Sequence, residues 1–254
     1  MAIFSDCRIV LVRTSHAGNI GAVARAMKTM GLTQLYLVDP KDYPNHDAYV
    51  RATHAHDILD NAIICKNLEE ALHGTVAAYA LSSRKRGVSA LPTDIRTATM
   101  EAVNLLTTKG PVAFVFGNEA TGLVNDEITL CNRFAYIPAS DSYYSLNLAS
   151  AVQVICYEFR MAALAQSEKT ENPDDTKPVI MATHEEYQGL YQHLQKAMEQ
   201  TTFLDNGNHH RIMRRLRKLF DRTQLERKEL MILRGILSAF ERTIHKAHNP
   251  SNDE

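Results

Sequence analysis

The chain has 254 residues, room for one large domain or for a domain with a smaller companion. Hydrophobic residues make up 45% and charged residues 22%, which excludes collagenous, low-complexity and wholly disordered chains. No uninterrupted apolar run approaches the ~18 residues that span a bilayer, and the first residues carry no signal-peptide core, so a cytoplasmic protein without membrane association is expected.

Residues 1–165 alternate between two periodicities. Ile9–Val12, Leu35–Val38, Ala62–Cys65, Val76–Leu81, Val112–Phe116 and Phe134–Ile137 are short apolar runs bounded by turn signals, and they predict buried strands. Between the first two, Ile20, Val23, Ala24, Met27 and Met30 share one helical face, with Gly31 at the position of a left-handed cap. Strands alternating with helices predict an α/β fold with a parallel sheet covered on both sides. Residues 166–182, whose stretch 166–177 contains no large apolar residue, predict a linker. Beyond it, Thr183-x-x-Glu186 and Thr223-x-x-Glu226 resemble capping boxes opening two amphipathic helices. The first carries Tyr187, Leu190, Tyr191, Leu194 and Met198, and the second Leu230, Leu233, Leu237, Phe240 and Ile244. A third helix carries Ile212, Leu216 and Leu219, giving a small helical extension over 183–248 and a tail at 249–254.

The four cysteines lie far apart and suggest buried thiols, without a zinc knuckle or a disulfide framework. His54-x-His56 and His209-His210 lack a third ligand at usable spacing, so no metal site is expected. Charge is uneven: residues 183–248 hold 12 Lys and Arg against 8 Asp and Glu, whereas residues 1–182 hold 16 against 19. Five of the eight residues Arg211–Lys218 are basic, namely Arg211, Arg214, Arg215, Arg217 and Lys218. That density suits a polyanion, or a solvated helix face.

Parallel sheets bind ligands beyond the carboxyl ends of their strands, and three loops there carry polar chemistry. Thr14-Ser-His-Ala-Gly-Asn-Ile-Gly leads into a helix whose first-turn amides suit an anion. It also fits a dinucleotide-binding turn with Asp39 as the ribose acid, although Gly18-x-x-Gly21 lacks one glycine of that fingerprint. Phe116-Gly-Asn-Glu-Ala-Thr-Gly-Leu sets one acid between two glycines, and Ser-Asp-Ser-Tyr-Tyr-Ser-Leu-Asn, residues 140–147, gathers hydroxyls and an amide before a helix. Ser145 alone reads as a helix N-cap.

In order and spacing, Asn19-x-Gly21-x-x-x-Arg25, Phe116-Gly117-x-Glu119-x-x-Gly122-Leu123 and Ser145-Leu146-Asn147 resemble the three signature motifs of the SPOUT RNA 2'-O-ribose methyltransferases. Residues 9–37 and the stretch from Arg214 to Leu237 are similar, more narrowly, to the bacterial tRNA enzymes of that family that modify cytidine or uridine at nucleotide 32 of the anticodon loop. The resemblance implies a domain over 1–165 with a C-terminal trefoil knot, a homodimer, and S-adenosylmethionine (AdoMet) held by Leu81, Ser82, Ser83, Gly117, Ile137, Tyr144, Ser145 and Leu146. It implies catalytic roles for Arg25, Ser145 and Asn147, loop bracing by Asn19 and Glu119, and tRNA contacts from Arg84, Arg86 and the Arg211–Lys218 cluster. Where related sequences turn on a glycine after the second helix, this one has Thr53-His-Ala-His56. The competing readings are a nicotinamide-dependent oxidoreductase using Gly18, Gly21 and Asp39, and a noncatalytic RNA-binding module.

Overall fold

The computed structural model describes residues 2–82, 92–169, 180–201, 203–204 and 209–248. Two compact units divide the chain, Met1–Pro178 and Val179–Glu254. Ser83, Arg84, Arg86, most of the expected linker and the whole tail lie outside the described residues.

The described residues of the first unit form seven strands: β1 (Cys7–Val12), β2 (Gln34–Val38), β3 (Ile63–Cys65), β4 (Ala77–Leu81), β5 (Thr93–Asp94), β6 (Val112–Phe116) and β7 (Arg133–Tyr136). They pair in the order β3-β2-β1-β6-β4-β7-β5, and every pair is parallel. Strands covered on both faces can be apolar without alternation, which is why the central strands β1, β4 and β6 stand out as solid runs; the edge strand β3 leaves Ile63 and Ile64 exposed. The two-residue β5 gives no such signal. Its Asp94 caps the next helix, accepting from the Thr97 N–H at 3.1 Å and the Thr97 hydroxyl at 2.8 Å.

Among the described residues seven α-helices flank the sheet: α1 (Ala17–Met30), α2 (His46–Ala52), α3 (His56–Asp60), α4 (Leu68–Leu72), α5 (Ile95–Thr108), α6 (Asn125–Leu130) and α7 (Leu148–Lys169). One core layer joins Ile9, Leu11, Leu35, Leu37, Tyr79 and Phe114 to α1, α2, α3, α5 and α7. Tyr79 stacks on Phe114 at 4.9 Å, and Phe159 of α7 meets Phe114 edge-on at 6.4 Å. The opposite layer is thinner and uses smaller side chains, with Val10, Val12, Ala78, Ala80, Ala113 and Val115 against α4 and α6. Gly31 closes α1 at φ +87°, its N–H bonded to Lys28 O at 3.1 Å. All four cysteines are free and buried.

α7 departs from the sequence reading twice. By length and composition it would pass for a bilayer span, yet Val152, Ile155, Cys156 and Phe159 are fully buried in the core against neighbouring helices. It also continues to Lys169, so residues 166–169 extend a helix instead of opening the linker, because a polar sequence suits a solvated helix end as well as a coil.

The second unit contains α8 (His184–Gln200), α9 (His209–Thr223) and α10 (Arg227–His248) around Tyr187, Leu190, Tyr191, Met213, Leu225 and Leu230. Its start is pinned by two backbone bonds, Ala182 N–H to Leu225 O at 3.0 Å and Arg227 N–H to Ile180 O at 2.9 Å, so Ile180–Ala182 belongs to this unit instead of the linker. Glu186 bonds back to the Thr183 N–H at 2.9 Å, as the capping pattern predicts. The second pattern is displaced: Thr223 ends α9, and Glu229 caps the Glu226 N–H at 2.8 Å. On α9 the inward stripe is Met213, Leu216 and Phe220, and Leu219 is exposed. On α10 Phe240 is likewise exposed.

One contact governs the spacing of α1 and α2. A Cβ on Gly21 would stand 2.0 Å from the Ala48 carbonyl oxygen, so only glycine lets the two backbones meet there. Gly21→Ala is therefore expected to destabilise the first unit by at least ~2 kcal/mol, read as a lowered urea midpoint. An unchanged midpoint would mean that α2 shifts freely.

Candidate functional site

In the sheet, β1, β6, β4 and β7 are consecutive neighbours, and being parallel they release their following loops at one edge. Segments more than a hundred residues apart thus converge on one cavity of about 760 Å³, a size suited to a small ligand. Leu81 and Ser82 line it after β4, Phe116, Gly117 and Glu119 after β6, Ile137 after β7, and Tyr144, Ser145, Leu146 and Asn147 before α7. His16 and Asn19 enter from the β1 side.

Glu119 ties the loops together. Its carboxylate accepts from the Ser15 N–H at 2.9 Å, the Ser15 hydroxyl at 2.8 Å, the His16 N–H at 3.3 Å and the Asn19 amide at 3.0 Å. The Asn147 amide then donates to Asn19 Oδ1 at 3.2 Å, carrying the chain of bonds into the third loop. Asn147 also caps α7, its Oδ1 accepting from the Ala149 N–H at 2.9 Å, so Asn147 and not Ser145 is the N-cap. Partial burial pushes the Glu119 carboxyl up, but bonds from Asn19 and Ser15 outweigh it and pull it down to about 2.

The β6 loop is folded tightly on itself. Asn118 accepts from the Ala120 N–H at 2.9 Å and donates to Arg13 O at 2.8 Å, while Gly122 N–H reaches Asn118 O at 2.7 Å. A Cβ on Gly117 would lie 2.1 Å from the Gly122 carbonyl carbon, and Gly122 itself has φ +68°. Arg13, at φ +52°, is held by Glu127 at 3.0 Å.

Every sequence-derived cofactor residue within the described chain lines the cavity, as do Asn19, Glu119, Ser145 and Asn147. Arg25 does not; it stands on the exposed side of α1. Gly21 is occupied by the α2 contact, and neither Gly18 nor Asp39 is part of the lining, so the dinucleotide reading loses all three of its markers. Among the basic residues of α9, Arg211, Arg214 and Arg215 are exposed. Arg217 turns inward, bonding Gln188 at 2.9 Å and covering the Tyr191 ring at 4.5 Å, and burial together with Arg214 lowers the pKa of Lys218. His56 binds Tyr49 O at 3.0 Å, and no metal-ligand cluster occurs among the described residues. Ser15, His16, Asn118 and Tyr143 were not singled out by motif reading; their signal was only position, directly after β1 and β6 or inside the third loop.

Because the folded-state carboxyl of Glu119 is depressed, its stabilisation is complete above the ordinary value of 4.5 and lost as pH falls toward about 2. Glu119→Gln is expected to cost about 1–3 kcal/mol at neutral pH and to remove that part of the acid sensitivity. Urea titrations from pH 7 to pH 3 on both proteins measure it; parallel pH curves would contradict the assignment.

The SpoU rRNA Methylase family matches residues 6–157, and the C-terminal domain of the tRNA methyltransferase TrmJ matches residues 185–249. The chain is 41% identical to a tRNA (cytidine/uridine-2'-O-)-methyltransferase TrmJ of Pectobacterium atrosepticum, over 95% of this chain and 99% of that one. It is 42% identical to a tRNA (cytidine/uridine/adenosine-2'-O-)-methyltransferase TrmJ of Pseudomonas aeruginosa, over 91% and 92%. The crystal structure of TrmJ from Z. mobilis ZM4 superimposes with a TM-score of 0.78 at 30% identity, covering 92% of this chain and 98% of that one. A matching parallel fold and relatives aligned along both units lead to one conclusion: the chain belongs to the SpoU methylase family, in its TrmJ branch.

Proposed function

We propose that the protein methylates the ribose 2'-hydroxyl of cytidine or uridine at position 32 of the tRNA anticodon loop, with AdoMet as methyl donor. The observation that carries this reading is the Glu119–Asn19–Asn147 chain of hydrogen bonds, which joins three family motifs around one cavity. The TrmJ relatives supply the substrate class through their own named activities.

The cavity suits the donor chemically. Leu81, Ile137 and Leu146 offer an apolar slot for a flat ring, Ser82 and Ser145 offer hydroxyls, and the Glu119 carboxylate puts negative charge in a lining whose described residues include no Lys or Arg. These residues, with Gly117, Tyr144 and Ser83, would hold AdoMet, which when bound supplies a methyl group activated on a sulfonium. The chain's own part is alignment, because an in-line displacement depends on presenting the ribose oxygen along one axis. Asn147 ties the third loop to Asn19, and Ser145 stands in the same lining. Arg25, whose guanidinium offers only donors, would orient the ribose and its phosphate and stabilise charge developing on oxygen.

Since Arg25 is remote from the cavity of its own chain, the reading includes a homodimer in which it completes the site of a second copy. Support comes from the outer side of α7, where Tyr157, Met161 and Leu164 are exposed, next to the helix α1 that carries Arg25. A C-terminal trefoil knot in the first unit is part of the same reading, as is tRNA binding by the helical unit.

Purified protein incubated with AdoMet and unmodified tRNA is expected to yield 2'-O-methylated pyrimidine at nucleotide 32 alone, identified by mass spectrometry of nuclease fragments. Product elsewhere, or on the base, would overturn the assignment. For the helical unit, the double variant Arg214→Ala/Arg215→Ala is expected to weaken tRNA binding and to lower the salt slope of log K by about 1–2. An unchanged slope would remove these side chains from the RNA contact.

A further inference from the structure

His16 occupies an unusual place for a histidine. It is the N-cap of α1, with extended backbone at φ −114° and ψ 111°, yet its side chain caps nothing. That position ordinarily goes to Ser, Thr, Asp or Asn, whose side-chain oxygens satisfy a helix N–H. Here the backbone is fixed instead, by the His16 N–H on Glu119 and by the Asn19 N–H on His16 O at 2.9 Å. The exposed ring is left on the cavity wall without a hydrogen bond or ion pair to any described residue.

Removing a ribose proton at neutral pH needs an acceptor, and the described lining offers few. Glu119 is committed to four donors from Ser15, His16 and Asn19, which makes its carboxylate a weak base. Tyr143 and Tyr144 offer phenol hydroxyls and no basic nitrogen, and a guanidinium such as Arg25 has no acceptor. The remaining lining groups are amides, hydroxyls and hydrocarbon. A neutral imidazole, by contrast, carries one ring nitrogen with a free lone pair that accepts a proton.

We propose that the His16 imidazole takes up the proton of the ribose 2'-hydroxyl during methyl transfer, an inference that rests on the function proposed above. The ribose oxygen gains the methyl carbon from sulfur, sulfur keeps the bonding electron pair, and the hydroxyl proton passes to the free imidazole nitrogen, which later releases it to water. The charged and titratable groups on the segments packed next to His16 are Glu119 of the β6 loop, which accepts from the His16 N–H, Tyr143 and Tyr144 in the same cavity lining, Arg51 of α2 beside Gly18, and Lys41 after β2, whose backbone N–H bonds Thr14 O.

The test compares single-turnover methylation of tRNA from pH 5.5 to 9 for the wild type, His16→Gln and His16→Ala. The wild-type rate is expected to rise with pH and then level off. His16→Gln is expected to lower the plateau ~10²–10⁴-fold and to abolish the acid limb, and added imidazole is expected to restore part of the rate of His16→Ala. Calorimetric AdoMet affinity, tRNA affinity and thermal midpoint should stay within twofold, twofold and a few degrees of wild type. A His16→Gln rate within threefold of wild type, or one that keeps the acid limb, would overturn the assignment. So would a rate lost only in step with binding or folding. If the wild type transfers methyl to ribose and His16→Gln matches it, the histidine assignment alone fails; if the wild type transfers none, the proposed function fails and takes this inference with it.

Discussion

The site depends on one buried-edge carboxylate. Glu119 satisfies both the backbone and the hydroxyl of Ser15, the N–H of His16 and the amide of Asn19, all at the entrance to α1. Such a constellation stabilises the ionised form, so the acid remains a fixed acceptor and is removed from proton chemistry. Asn19 passes the constraint to Asn147, which in turn starts α7. Loops that would otherwise fluctuate independently are thereby locked to two of the main helices of the core.

The sheet makes that lock possible. Parallel pairing sends every strand's exit to the same edge, and the neighbour order β1-β6-β4-β7 lays four exits side by side. Two glycines set the remaining tolerances. Gly21 lets α2 approach α1, and Gly117 lets the β6 loop double back on Gly122 and Leu123. Each glycine removes a Cβ that would hold two backbones apart.

The helical unit divides its basic residues between two uses. Arg217 covers Tyr191, whose hydroxyl binds Asp221 at 2.8 Å, so one arginine of the cluster braces the packing of α8 against α9. Arg211, Arg214 and Arg215 face solvent and are free to meet a polyanion. A run of cations in sequence is therefore not a uniform electrostatic surface, because helical geometry turns its members to different sides.

Much of the first unit could be read from residue order. Solid apolar runs identified six of the seven described strands: burial on both faces leaves no room for polar alternation in β1, β4 and β6, whereas the edge strand β3 is an apolar run with Ile63 and Ile64 exposed; Gly31 marked the end of α1 through its left-handed conformation. The three loops were visible as polar clusters after strands, and their family likeness came from local motifs. Local pattern also erred in places, some of them within a few residues of the deciding contact. It missed the short β5, ended α7 too early, displaced the cap of α10 and turned Leu219 inward. It could not reveal that His16 would be pinned through its backbone with its ring left free, nor that Arg25 would stand outside its own cavity. Those outcomes depend on strand order and on which loops Glu119 gathers, and such contacts span a hundred residues or more, beyond the range over which neighbouring side chains dictate conformation.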